Sequence, residues 1–302
     1  KNMKATADHS MDTYNKVLGM GFPFHPDHSS CSLKTPQSFR WTNDSTEDTN
    51  IEVWFDNYIP MGVDHPRKRK IKVAWLCESS QIISPVINFI EQKMDYVLSK
   101  YDYIFTCDRT LLDKGNDKIL YCPPGSNLSW IPNEKQKVYD KTKLCSMIAS
   151  PKTTTTGHKL RHHIAEIYQR DIDLYGGVLG SPKIGTGNLT TTWHDKEDGL
   201  HDYMFSFAIE NASYNTYFTE KIMDCFTTGT VPIYWGSPDI GDHFNKDGII
   251  ILDDTFDIDI LSDELYYSML PAIEENFDIA INTKMADDVL YETVERLECK
   301  QS

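Results

Sequence analysis

Apolar and polar positions follow two periods along this chain, and the switches between them predict its elements. "IEVWF" at 51–55 alternates and predicts a strand, while "IKVAWLC" at 71–77 is continuous enough to predict a buried one. "PVINFIEQKMDYVLSKY" at 85–101 carries a helical period, and "DYIFTCD" at 102–108 predicts the next strand. "KILYCPPG" at 118–125 predicts a strand stopped by Pro123-Pro124-Gly125. The pattern restarts after Pro132, with strands predicted at 143–150, 172–176, 203–210, 230–235 and 248–252. Between them, "HKLRHHIAEIYQ" at 158–169 sets Leu160, Ile164, Ile167 and Tyr168 on one helical face. Phe218, Ile222, Cys225 and Phe226 form a second helical stripe, stopped at Gly229. Two more helical patterns close the chain, at 262–276 and 285–299.

Strands alternating with helices at this spacing imply parallel sheets. The expected fold class is α/β, two Rossmann-like domains facing a central cleft, with ligand beyond the carboxyl ends of the strands. Residues 1–50 read as a polar N-terminal extension, with one short helix at 8–18. Residues 51–140 and 141–260 read as the two domains, and 261–302 as helices packing back across both.

Composition narrows the function classes. With 302 residues, 40% hydrophobic and 25% charged, the chain has material for two cores. A net charge of −15 argues against a nucleic-acid partner. The one dense basic run, Arg67-Lys68-Arg69-Lys70, reads as solvated charge before a strand. No stretch approaches the roughly 20 apolar residues of a membrane span. The seven cysteines are scattered without a CxxC pair and read as reduced thiols. The expectation is a soluble cytoplasmic chain, with the Golgi lumen as the alternative if an anchor precedes Lys1.

The candidate chemistry gathers at 203–238. A strand ends at Glu210, "NASYNTY" follows, and a helix begins near Thr216 to Thr219, both candidate N-caps. Glu220 and Lys221 then stand side by side in the first turn. Helical neighbours point about 100° apart and are poor partners. A cation at the positive end of a helix dipole is unfavourable unless an anion sits there. The bland reading is a surface lysine; the functional one is an anionic ligand at the helix terminus.

The segment "FAIENASYNTYFTEKIMDCFTTGTVPIYWGSPDIGDHFN" resembles the donor-binding segment of the α1,3/4-fucosyltransferases, glycosyltransferase family 10, in its bacterial and viral-like soluble members. Glu-Asn, Tyr-x-Thr-Glu-Lys and Gly-Thr-x-Pro-Ile-Tyr-Trp-Gly-x-Pro stand at the family's spacing. The resemblance implies a GT-B enzyme that moves L-fucose from GDP-fucose to a glycan hydroxyl, with inversion and without an essential metal. It implies donor contacts from Asn211, Tyr217 and Lys221, with Lys221 on the phosphates, and places Glu220 near the fucose ring. Arg161, in "HKLRHHIAEIY", matches the family's helix arginine, although "TTTTGHKL" departs from the usual lead-in; its bland reading is a solvated helix residue. Glu78, in "VAWLCESS", resembles the family's strand-end glutamate, the general base; Ser79-Ser80 makes that match partial, and a capping role is the alternative. The implied partners are a GDP-sugar and a glycan, with no cofactor. The alternatives are a GT-B transferase of another nucleotide sugar, a non-catalytic sugar-binding relative, and a metal-dependent GT-A enzyme.

Other signals read blandly. His158, His162 and Glu166, at i, i+4 and i+8, permit metal ligation but read as a solvated face. Asp171-Ile-Asp173 and Asp257-Ile-Asp259 are DxD triplets in an Asp-rich chain. The Gly- and Thr-rich stretch 177–199 reads as a long loop of the kind that selects an acceptor.

Overall fold

A computed structural model describes residues 15–21, 30, 34–183 and 195–301, the side chain of residue 301 excepted. Two wholly parallel sheets stand side by side. The first has six strands in the order β2-β1-β3-β4-β5-β6. They are β1 (Lys16–Met20), β2 (Arg40–Thr42), β3 (Ile51–Phe55), β4 (Ile71–Trp75), β5 (Tyr103–Thr106) and β6 (Ile119–Tyr121). Every residue of β3 and β4 is buried, as expected of parallel strands covered on both faces.

The pleat sends Val53, Phe55, Val73 and Trp75 to one face, and Trp54 and Ala74 to the other. The second face is covered by α1 (Ile59–Asp64), α2 (Ser84–Gln92), α3 (Met94–Lys100) and α4 (Arg109–Leu112). The helical period at 85–101 is thus two helices, broken at Lys93, which takes φ −126° and ψ 33°.

The second sheet runs β11-β10-β9-β7-β8. Its strands are β7 (Lys143–Ile148), β8 (Asp173–Tyr175), β9 (Tyr203–Ile209), β10 (Val231–Trp235) and β11 (Ile250–Ile251). Two helices join its strands, α5 (Thr156–Tyr168) and α6 (Glu220–Thr227). Two more close the chain, α7 (Asp263–Asn282) and α8 (Ala286–Gln301). Tyr266, Met269 and Ile273 of α7 join the core of the second sheet. Leu290, Tyr291 and Val294 of α8 pack on the first sheet, beside Val17 and Trp41. The chain recrosses between them at 283–285, where Asn127 accepts from Ala286 N–H at 2.9 Å and donates to Lys284 O at 2.9 Å.

Three readings are corrected. Residues 16–20 and 40–42 are strands inside the first sheet, not part of a polar extension. The helix expected at 8–18 gives way to β1 from Lys16 onward, while residues 8–14 lie outside the described residues. "KVLGM" is too short to show a period; pairing with β3 decides its conformation. The basic run is not simply solvated either. Arg67 pairs with Asp102 at 2.6 Å, and Arg69 donates to Thr49 and to the Ser45 and Glu47 carbonyls. Among the described residues no helix is long and apolar enough to cross a membrane.

Candidate active site

The six side chains singled out in the sequence line one cleft of about 320 Å³ between the two sheets. Glu78 enters from the loop after β4; Arg161, Asn211, Tyr217, Glu220 and Lys221 enter from the second domain. Each stands at or just beyond the carboxyl end of a strand, where open α/β sheets collect ligands.

α5 begins with a reciprocal cap. Thr155 Oγ1 accepts from His158 N–H at 3.1 Å, and His158 Nδ1 accepts from Thr155 N–H at 3.3 Å. Gly157 then lies against the end of β9, donating to Asn211 O at 3.1 Å. One turn later Arg161 is 5% exposed. Its Nε and Nη2 donate to Ile209 O at 2.9 and 2.5 Å, and Nη2 donates to Asn211 Oδ1 at 2.9 Å. Arg161 is therefore no solvated helix residue. Burial lowers its pKa, while Glu210 and Glu220 favour the cation.

The end of β9 also builds the start of α6. The Glu210 carboxylate accepts from Thr219 N–H and Thr219 Oγ1, both at 2.8 Å. Thr219 is the N-cap but makes no side-chain cap bond, and among the described residues no other side chain caps the first-turn N–H groups of α6. The two helix starts thus differ. On α5, Thr156 N–H donates to Gln81 Oε1 at 2.8 Å and Gly157 N–H is used, whereas α6 opens to the cleft uncapped.

Lys221 corrects an expectation. Its ammonium lies 3.3 Å from Glu220 Oε1, 3.5 Å from Glu210 Oε2 and 3.0 Å from Thr219 Oγ1. Side chains slope toward a helix's amino end, so a long lysine folds back to where these oxygens converge. The cation at the positive terminus is met by the protein's own carboxylates, and the conflict alone does not demand an anion.

Glu220 is nearly enclosed. Burial would raise its pKa, but Lys221 and Lys196 outweigh that and hold it to about 2. Tyr217 is buried and stacks on Tyr214, ring centroids 4.8 Å apart. Tyr214 Oη accepts from Ser80 N–H across the cleft at 3.4 Å, and Thr216 Oγ1 donates to Cys107 O at 3.1 Å. Ser80 and Gln81 thus tie the Glu78 loop to the second domain, and Thr216 ties that domain to the end of β5.

Glu78 stays open to water within the cleft while protein crowds it from both sides. That crowding raises its pKa; Lys221 draws it down and Glu220 pushes it up. Behind it lies a residue the sequence reading missed, Asp56. Its Oδ1 accepts from Cys77 N–H at 2.7 Å and Glu78 N–H at 3.3 Å, from a backbone at φ +38°. Burial, then the charge of Glu78, raises Asp56 to about 7. The folded state therefore binds more protons than the unfolded chain between about pH 4 and 7, and stability falls as pH rises through that window. Asp56→Asn keeps the accepting oxygen and tolerates positive φ. It is expected to raise the melting midpoint at pH 8 by on the order of 2–4 °C, with little gain at pH 5; melting curves at both pH values check this.

His158 was also misread. It is 4% exposed and lines the cleft rather than a solvated face. Burial, with Arg161 and Lys152 nearby, lowers its pKa to about 4, so the ring is neutral at pH 7. With Nδ1 accepting from Thr155, the proton sits on Nε2. Lys152, Gly176, Trp130 and Lys196 complete the wall, and no sequence signal marked the last two. Among the described residues no group of three or more His, Cys, Asp or Glu side chains is gathered as a metal site.

Residues 138–269 match the family model described as Glycosyltransferase family 10 (fucosyltransferase) C-term. The matched segment lies in the second half of the chain and spans 132 of its 302 residues. The matched segment contains Arg161, Asn211, Tyr217, Glu220 and Lys221, whereas Glu78 lies outside it. The chain is 33% identical to Alpha-(1,3)-fucosyltransferase FucT of Helicobacter pylori over 90 residues, 28% of this chain and 19% of the relative. A protein of Acanthamoeba polyphaga mimivirus, named provisionally as a fucosyltransferase, is 27% identical over 181 residues, 51% of this chain and 30% of the relative. The matches thus span less than a third of either curated relative. A crystal structure of an alpha1,3-fucosyltransferase shares the fold at a TM-score of 0.51 and 15% identity, covering 90% of this chain and 85% of that one. The architecture, two parallel sheets with a cleft between them, is GT-B.

Proposed function

We propose that this chain transfers L-fucose from GDP-fucose to a hydroxyl of a glycan acceptor, with inversion and in α1,3 linkage. The observation that carries the reading is the meeting of Glu78, from one domain, with the family 10 side chains of the other in a single cleft. The acceptor oxygen attacks the anomeric carbon as the bond to the pyrophosphate oxygen breaks. Attack from the face opposite the departing GDP inverts the configuration. Glu78 takes the acceptor's proton, a task suited to a carboxyl whose pKa is raised toward the working pH.

The departing diphosphate gains negative charge. The open first turn of α6, Lys221 and Arg161 are arranged to meet it. Asn211 and Tyr217 complete the donor contacts. The sugar acquires oxocarbenium character as the bond breaks, and Glu220 faces that positive charge as an anion. This assignment uses no metal, because the cations and the helix terminus supply the charge stabilisation.

A thermal-shift comparison of GDP, UDP and CDP tests the donor. GDP is expected to stabilise selectively, by about 2.7 kcal/mol at a hundredfold excess over Kd. Equal shifts with all three nucleotides, or none, would reject the GDP-sugar assignment.

A further inference from the structure

Glu220 and Asp224 stand four residues apart on α6, one turn above the other on the same face. Both are nearly enclosed, at 10% and 1% side-chain exposure. Two like charges so placed repel, and more strongly away from water. One side chain answers both. The Lys196 ammonium contacts Asp224 Oδ2 and lies 3.7 Å from Glu220 Oε1, 4.6 Å from the centroid of the Trp130 ring.

Its own segment is fixed from behind. The neighbours Asp195 and Glu197 pair with Lys135, in the segment between β6 and β7. Ser146 Oγ anchors Gly199 O at 2.6 Å. The Asp224 carboxylate is held in turn by Ser129 Oγ at 2.8 Å and Trp130 N–H at 2.7 Å. Alternate residues of one short turn thus grip the β6–β7 segment and reach into the cleft, which a merely solvated lysine does not require.

We propose that Lys196 is a positioning residue for the transfer step: by bridging Glu220 and Asp224 it holds the Glu220 carboxylate toward the sugar-binding part of the cleft. The inference rests on the fucosyl-transfer reading of that cleft. Arg161, Lys196 and Lys221 balance Glu210, Glu220 and Asp224 in this cluster. Without Lys196 the balance fails, and the stacked pair relieves its repulsion by sharing a proton or turning Glu220 away. Either change weakens the negative charge that faces the developing oxocarbenium. Lys221 and Lys196, with hydrogen bonds from Thr219 and Lys221, lower Glu220's pKa against burial; the other charged groups that face it are Asp224 on its own helix, Arg161 on α5 and Glu78 from the other domain, while Glu210 contacts Lys221.

The experiment follows GDP release from GDP-fucose with water as acceptor, alongside GDP affinity, in the full chain. Lys196→Met is expected to lower kcat about 10²-fold with GDP affinity changed less than about threefold. The acid limb of its pH–rate profile moves to higher pH. Lys196→Arg restores most of the rate, and so does Lys196→Met combined with Asp224→Asn, which removes the repelling partner. A packing role predicts no such rescue by a second charge removal. Lys196→Met with wild-type kcat and pH profile overturns the inference, as does a double variant no better than the single. If Lys196→Met does not fold, the double variant and Lys196→Arg decide alone, and rates in both near wild type support the bridge. Wild-type protein that neither binds GDP nor releases it from GDP-fucose sinks the fucosyl-transfer reading and this inference with it.

Discussion

Glu78→Gln is expected to lower fucosyl transfer by on the order of 10³-fold while GDP affinity stays within about threefold of wild type. The two effects separate because Glu78 belongs to the other domain from the proposed donor contacts. Its main-chain N–H and that of Cys77 are held by Asp56, and Gln81 and Ser80 of the same loop bridge to Thr156 and Tyr214. A glutamine fits the same backbone but cannot accept a proton. Turnover and calorimetric GDP binding check both halves, and an unchanged rate removes Glu78 from the chemistry. On the proposed reading the base must be ionised in the wild type, so the rate is expected to rise with pH through Glu78's pKa. Crowding in the cleft sets that pKa above the usual carboxylate value.

What the sequence revealed follows from where the information lies along the chain. Asn211, Tyr217, Glu220 and Lys221 fall within eleven residues, at one strand-to-helix junction, so a contiguous motif exposes them together. Arg161 comes from the neighbouring junction, and its hydrogen bonds to Ile209 O and Asn211 Oδ1 tie the two. Residues whose importance arises only from packing between distant segments left no local mark. Lys196 matters because α6 places Glu220 and Asp224 a turn apart; Asp56 matters because β3 and β4 are neighbours. Glu210 was read as a strand end, yet its carboxylate organises Thr219 and Lys221. The same logic explains β1: its sequence is short and ordinary, and its partners lie on both sides in the sheet.

Gly157→Ala tests that junction most severely. Alanine normally strengthens a helix relative to glycine, by up to about 1 kcal/mol. Here a Cβ would lie 1.7 Å from Glu210 O and 3.0 Å from the Asn211 carbonyl carbon, and both obstacles are backbone. Overpacking of this kind costs about 1–3 kcal/mol or more, so the steric loss exceeds the propensity gain. Relief requires α5 to withdraw from the end of β9. That movement breaks the Gly157 N–H bond to Asn211 O, draws Arg161 from Ile209 and Asn211, and disturbs the Glu210 carboxylate that starts α6. One methyl group, touching no ligand, is therefore expected to lower the melting midpoint and weaken GDP binding at least tenfold, about 1.4 kcal/mol. Gly241→Ala is the control: its nearest obstacle is Lys246 Cβ at 3.6 Å, and it should change neither. Gly157→Ala with wild-type stability and affinity would show that the two strand-to-helix junctions move independently, and the donor site could not then depend on their contact.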